Sequence, residues 1–242
     1  MLVGWFLLGL MSGSFLNVVI YRLTERKSLL FPGSQCMYCR NRLKFFEMIP
    51  VLSYVFLRGR CRYCGHRLPL VYPAVELMTG IAFGLLYMQC GMAWDLLPGC
   101  IFTAFLITVA FIDGLWGIIP DRLNYPLLVT GLLLSLWRHT IVSSLTGMVV
   151  LGGLFLLIFV LFQGGLGGGD VKMALVIGVF CGWPDTLWAF FIASVLAALY
   201  AVILLIAGKV GLKSQIKFGP FLALGSWLAW VYADVISLGF LI

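Results

Sequence analysis

The sequence predicts an all-α polytopic integral membrane protein with about eight transmembrane helices and one small polar insertion between helices 1 and 2. Three observations carry this. Of 242 residues, 62% are hydrophobic and only 10% charged, and the mean hydropathy of +1.09 lies far outside the range of soluble globular domains. Apolar runs recur at residues 2–20, 73–90, 97–112, 125–137, 142–162, 171–183, 186–207 and 218–241. The Lys and Arg residues gather between alternate runs, the pattern expected where basic loops are kept on the cytosolic side of a bilayer.

Each run is expected to be a helix, because backbone groups in lipid must be satisfied within their own segment, whereas barrel strands would be shorter and alternate in polarity. The run at 2–20 has no basic residue before it and no A-x-A-like site after it, so it is expected to be an uncleaved span. The run at 171–183 covers only about 20 Å at 1.5 Å per residue, less than a bilayer core. Its leading acid, Asp170, is therefore expected somewhat below the membrane surface. The chain divides into a first helix at 1–20, an insertion at 21–72 and a membrane domain at 73–242.

Threading eight spans from an outside N-terminus places 21–72 in the cytosol, with the loops near 113–124, 163–171 and 208–217, and leaves the C-terminus outside. Ten of the 16 basic residues, from Arg22 to Arg67, lie in 21–72 beside only two acids, Glu25 and Glu47. Arg122, Lys172, Lys209, Lys213 and Lys217 fall in the other inside segments, and Arg138 alone falls outside. The net charge of +7 is thus a topological signal. No soluble basic domain of any size remains, so a nucleic-acid partner is not expected.

The insertion carries CMYC at 36–39 and CRYC at 61–64, separated by 21 residues. Four thiolates in one compact polar segment are the number that a tetrahedral structural zinc site needs. A segment of about 50 residues cannot readily bury a core of its own, and a metal staple explains how it folds. Redox pairs or disulfides are the competing reading, opposed by the cytosolic placement. Cys90, Cys100 and Cys181 lie in or near apolar runs as small core residues, although Cys90 and Cys100 could meet near the outer surface and pair.

The same threading sorts the acids. Asp95, Asp185 and Asp234 go outside, as solvated loop or helix-end carboxylates, while Asp113, Asp121 and Asp170 converge on the cytosolic face from two loops. Asp113 ends one span in FIDGLWGIIPDRLNYP (111–126), and Asp170 follows three glycines in GLGGGDVKMA (165–174). A carboxylate near hydrocarbon costs about 2.5–3.5 kcal/mol on insertion scales, so its presence points to function. Two such acids held close together can activate water, one ionised as base and the other protonated as donor to a carbonyl, because like charges separate their titrations.

With these residues in view, the chain resembles the type IV prepilin peptidases, bifunctional leader peptidases and N-methyltransferases of bacterial pilus, competence and type II secretion systems. The resemblance runs through GSFLNVVIYRL (13–23), both C-x-x-C pairs, IPVLSYVFLRGRC (49–61), YPAVEL (72–77), the Asp113 to Asp121 element and GGGDVKMA (167–174). It implies that Asp113 and Asp170 are the catalytic aspartates and that Cys36, Cys39, Cys61 and Cys64 bind zinc. It implies a pilin-like or pseudopilin precursor as substrate, cleaved after a glycine, with the new N-terminus methylated from S-adenosylmethionine. The setting is the bacterial cytoplasmic (inner) membrane, among its lipids, with the active site facing the cytosol. The topology agrees independently, since a precursor with its leader in the cytosol presents the scissile bond where the acids were placed. One feature stands apart: family leaders are typically basic, so charge steering by the basic insertion does not explain their recognition.

The family shows Asp or Asn where Asp121 stands, which implies a hydrogen-bonding or loop-structuring role. Lys172 could tune a carboxylate or bind lipid phosphate, or simply snorkel. Glu76 is the candidate contact to the methyl donor, with Asn17 and Arg22 as possible supports, although both also have ordinary structural uses at helix contacts and membrane boundaries. Four rivals follow from the same residues: a proton- or ion-coupled transporter with an acidic path, a magnesium-dependent membrane transferase using Asp113, Asp121 and Asp170, a zinc-bearing scaffold, and a peptidase lacking methyltransferase activity. The transporter reading wants acids at midplane and matching broken helices, and the sequence has neither.

Overall fold

In the computed structural model, residues 1–29, 31, 33–162, 166–209, 211 and 216–232 are described. Among them every apolar run is helical: α1 (Leu2–Thr24), then the short α2 (Leu52–Phe56) within the insertion, α3 (Val71–Cys90), α4 (Leu96–Trp116), α5 (Asp121–Trp137), α6 (Ile141–Leu161), α7 (Gly168–Cys181), α8 (Asp185–Ile206) and α9 (Gly219–Val231). The described residues form no strand, only two isolated antiparallel bridges in the insertion. Helices α1, α3, α4, α6 and α8 are long and apolar enough to cross a membrane. Helices α5, α7 and α9 are shorter, at 17, 14 and 13 residues. The remainder of the run at 218–241, Asp234, Lys213, Gly164, Gly165 and the expected side of the C-terminus lie outside the described residues.

The chain packs as two compact units, Met1–Thr108 and Val109–Ile242, so the packing boundary falls inside α4. In the first unit α1 and α3 run antiparallel and close together. A Cβ added at Gly9 would stand 2.7 Å from the Gly80 Cα, and one at Gly13 would stand 2.7 Å from the Glu76 Cα. Lipid supplies no hydrophobic drive between helices, so van der Waals contact at small residues holds such a pair. Stacked rings close both ends, Trp5 on Tyr87 at 6.2 Å and Tyr21 on Tyr72 at 5.1 Å.

In the second unit α7 packs against α5, α6, α8 and α9. Met173, Ala174, Val176 and Ile177 are completely buried. A 14-residue helix spans only about 21 Å, and enclosure by its neighbours lets it end within the protein. Gly147 of α6 faces the backbone of Gly178 and Gly182 with no space for a side chain. Cys100 is buried, and Cys90 and Cys181 are half-buried.

Candidate active site and metal centre

The two cysteine pairs fold as matching knuckles. In the first, the Cys36 N–H donates to Asn41 O at 3.0 Å and the Arg40 N–H to Cys36 O at 2.9 Å. In the second, the Cys61 N–H donates to His66 O and the Gly65 N–H to Cys61 O, both at 2.9 Å. The residue after each second cysteine, Arg40 (φ 56°) or Gly65 (φ 69°), takes the left-handed conformation that closes the turn. The bridges between Gln35 and Arg42 and between Arg60 and Arg67 flank these turns.

The knuckles face one another. Cys36 Sγ lies 3.9 Å from Cys64 Sγ and Cys39 Sγ lies 3.9 Å from Cys61 Sγ, and all four sulfurs fall within 4.8 Å of one another. Tetrahedral zinc with bonds of about 2.3 Å separates its sulfurs by about 3.8 Å, so the cluster fits that ion. Burial opposes the Cys61 thiolate, but the N–H groups of Cys64 and Tyr63 and neighbouring thiols bring its pKa down to about 7. At Cys64 the His66 N–H favours the thiolate, but desolvation and the other thiols push it up to about 11. Four sulfurs this close do not all ionise without a cation between them.

Several side chains fasten the insertion. Arg22 donates to Ser28 O, Leu29 O and Gly33 O, each at 3.1 Å. Glu76, buried in α3, accepts from the Val51 N–H at 2.7 Å and bonds the Ser14 side chain. Val51 has φ 60°, uncommon for a β-branched residue, and the carboxylate contact helps to hold it there. Asn17 donates to Tyr72 O at 3.0 Å. Glu76, Asn17 and Arg22 therefore all have structural work inside the first unit.

The acids belong to the second unit. Asp113 lies in the last turn of α4 and is 7% exposed. The helix stops four residues later, where the Gly117 N–H returns to Asp113 O at 2.8 Å and Gly117 takes φ 70°, a glycine-terminated helix end. Asp170 lies in the first turn of α7, half-buried. Its Oδ2 accepts from the Gly167 N–H at 3.1 Å, the carboxylate half of a capping box, and a negative charge there is favoured by the helix dipole.

Two contacts join these helix ends. A Cβ at Gly169 would stand 2.9 Å from the Ile119 Cβ, so the loop after α4 lies directly on the start of α7. Lys172 donates to both Asp121 carboxylate oxygens at 2.7 Å and sits over the Tyr125 ring at 5.6 Å. Lys172 is thus paired with Asp121, the first residue of α5. Asp113 and Asp170 therefore lie at neighbouring helix ends of the second unit.

Sequence reasoning missed a third wall. The backbone before α9 returns to the end of α4: Lys217 Nζ donates to Gly114 O at 2.9 Å, and the Gly219 N–H interacts with the Asp113 carboxylate. A Cβ at Gly219 would stand 2.6 Å from Asp113 Oδ2. Asp113 Oδ2 is buried with no hydrogen-bond partner among the described residues. The adjacent Gly219 and Pro220 mark a helix start in the sequence, but nothing there indicates which residue they meet.

Comparison with known proteins follows the same division of the chain. Residues 7–90 match the bacterial peptidase A24 N-terminal domain, and residues 100–202 match the type IV leader peptidase family. A Bacillus subtilis (strain 168) protein named prepilin leader peptidase/N-methyltransferase is 34% identical over 237 residues, covering 96% of this chain and 94% of the relative. Proteins of the same name from Neisseria gonorrhoeae and Burkholderia pseudomallei (strain 1026b) are 32% and 33% identical. They cover 94% and 90% of this chain and 89% and 81% of their own lengths. No solved structure matches.

Proposed function

From the premise that this chain belongs to the type IV leader peptidase family, we propose that it is a membrane aspartyl endopeptidase that removes the short leader of pilin-like or pseudopilin precursors at the cytosolic face of the bacterial inner membrane. The observation that supports the mechanism is that Asp113, in the last turn of α4, and Asp170, in the first turn of α7, lie at helix ends where the loop after α4 packs on the start of α7 through Ile119 and Gly169. One carboxylate, ionised, takes a proton from water as the oxygen adds to the scissile carbonyl. The other, protonated, gives its proton to the carbonyl oxygen, forming a gem-diol. Collapse of the diol then breaks the C–N bond: the amine nitrogen receives the proton first taken from water, and the second carboxylate takes back the proton of one diol hydroxyl as the new carboxyl group forms, which restores the dyad. The buried setting of Asp113 and the half-buried setting of Asp170 favour such sharing of one proton over double ionisation.

Asp121 and Lys172 stand outside the dyad, as a pair that fastens α5 to α7. Cys36, Cys39, Cys61 and Cys64 would hold zinc as a structural ion, outside the hydrolytic step.

We propose further that the new N-terminus is methylated, with S-adenosylmethionine as donor and a site in the first unit. This half rests on the relatives' names. Glu76, the expected donor contact, is bonded to Val51 and Ser14. A peptidase without methyl transfer is the second reading, favoured by that commitment of Glu76. Purified enzyme incubated with a precursor pilin, followed by mass spectrometry, tests both: leader loss is the expected result, and a gain of one methyl on the product separates the two readings. An intact precursor would overturn the peptidase assignment.

A further inference from the structure

We infer that Lys217 and Gly219 are positioning residues for Asp113, and that the segment entering α9 sets the direction in which this carboxylate is presented to substrate. The inference rests on the reading of Asp113 as a catalytic group.

The argument begins with space. A Cβ added at Gly219 would lie 2.6 Å from Asp113 Oδ2, 2.9 Å from its Cγ and 3.1 Å from its Cβ. Real carbon contacts do not approach so closely, so one group must move. Asp113 has a short side chain on a helix whose neighbouring residues, Val109 and Ile112, are completely buried, which leaves rotation of the carboxylate as the easiest response. Glycine at 219 therefore allows a backbone segment to lie directly against the carboxylate and limit its rotamers.

Lys217 holds that segment in place. Its ammonium donates to Gly114 O at 2.9 Å, and its Cε lies 3.6 Å from where a Gly117 Cβ would be, so the chain stretches over the last turn of α4. Gly114 O lies beyond the helix's own ladder, among the last four carbonyls of α4, which have no intrahelical donor. A lysine there satisfies an orphaned acceptor and places a cation at the negative end of the helix. Pro220 completes the contact, 3.9 Å from where a Gly114 Cβ would be, and fixes φ at the start of α9. Lys217, Gly219 and Pro220 thus meet the end of α4 at Asp113, Gly114 and Gly117.

The test measures kcat and KM for leader removal by the full-length enzyme reconstituted in lipid, using a precursor pilin, with melting temperature followed by tryptophan fluorescence. Asp113→Asn runs in parallel. Gly219→Ala is expected to lower kcat about 100-fold with KM within about 2-fold, because a misplaced reacting group loses rate without losing binding. Lys217→Met is expected to lower kcat about 10-fold, and Lys217→Arg, which retains a donor for Gly114 O, to recover most of it. Gly153→Ala, where an added Cβ meets nothing within 4 Å, is the control for glycine replacement and should match wild type.

Wild-type kcat in Gly219→Ala and Lys217→Met, with Asp113→Asn inactive, would overturn the inference. So would losses that follow melting temperature or KM, or a Lys217→Arg enzyme as slow as Lys217→Met. An active Asp113→Asn would instead remove the dyad reading on which the inference stands.

Discussion

The cysteine insertion and the acid cluster both depend on short turns, but they are assembled at different ranges of sequence. Each knuckle closes on itself through hydrogen bonds spanning a few residues, and the two then meet through sulfurs 22 and 28 positions apart. The acid cluster gathers the end of α4, the loop before α5, the start of α7 and the entry to α9, with Lys217 and Gly114 103 positions apart. The insertion is a local object whose four sulfurs are placed to hold an ion. The acid cluster exists only when the helices of the second unit have packed. Damage to the insertion should therefore appear as lost metal and lost folding, whereas damage to the acids should appear as lost chemistry in a folded chain.

The strongest way to sharpen this contrast is to neutralise the acids. Asp113→Asn and Asp170→Asn should each lower leader cleavage by about 10²–10⁴-fold, the range for loss of a general acid or base, while zinc content stays at the wild-type level. The double variant should be little worse than either single, since members of one catalytic unit are not additive. Near-normal cleavage by either single variant would sink the dyad and make Asp121 the next residue to examine.

Next comes the converse. Cys36→Ser combined with Cys39→Ser should take metal from about one zinc per chain to none, measured by elemental analysis, and leave the insertion open to limited proteolysis. Cleavage should fall with the folded fraction. A wild-type chain that folds fully without metal would break the comparison at its first term.

A smaller effect is expected at Gly169→Val. The new side chain would collide with Ile119, overpacking of a kind that costs about 1–3 kcal/mol, and the start of α7 would separate from the loop after α4. Leader cleavage should decline while metal content holds. Full activity in this variant would show that the contact does not set the acid geometry.

Smallest of all are Asp121→Asn and Lys172→Met. Their ion pair has side chains 50% and 36% exposed, and pairs in such surroundings contribute about 0.2–1 kcal/mol. Cleavage should stay close to wild type in both. A loss comparable with that of Asp170→Asn would move Asp121 into the catalytic set.

Much of this was legible from composition and motif. The eight apolar runs were visible because a helix in lipid must be apolar nearly throughout, and all eight are helical among the described residues. The four cysteines were visible because metal ligands come as fixed local spacings, and the knuckles keep those spacings in space. The acids were recognisable one at a time, each conspicuous as a charge beside an apolar run. The packing of the helix ends that carry them was not, since a contact between helix ends leaves no periodic trace in sequence. Lys172 illustrates the limit: its charge was plain, but its partner Asp121 lies 51 positions away. Glu76 was singled out as a candidate contact to the methyl donor, yet its bond to the Val51 N–H depends on a loop conformation that no local pattern announces.

The sequence by itself therefore determined what each segment is: membrane helix, metal knuckle, acid-bearing helix end and family. These properties follow from side-chain polarity and from spacings of a few residues, which survive whatever the rest of the chain does. Only the tertiary structure decided which helix ends pack together, that α7 is enclosed by its neighbours, and that Gly219 presses on Asp113. Those outcomes depend on close packing between segments distant in the chain, where the presence or absence of a single Cβ at 2.6 Å settles the arrangement.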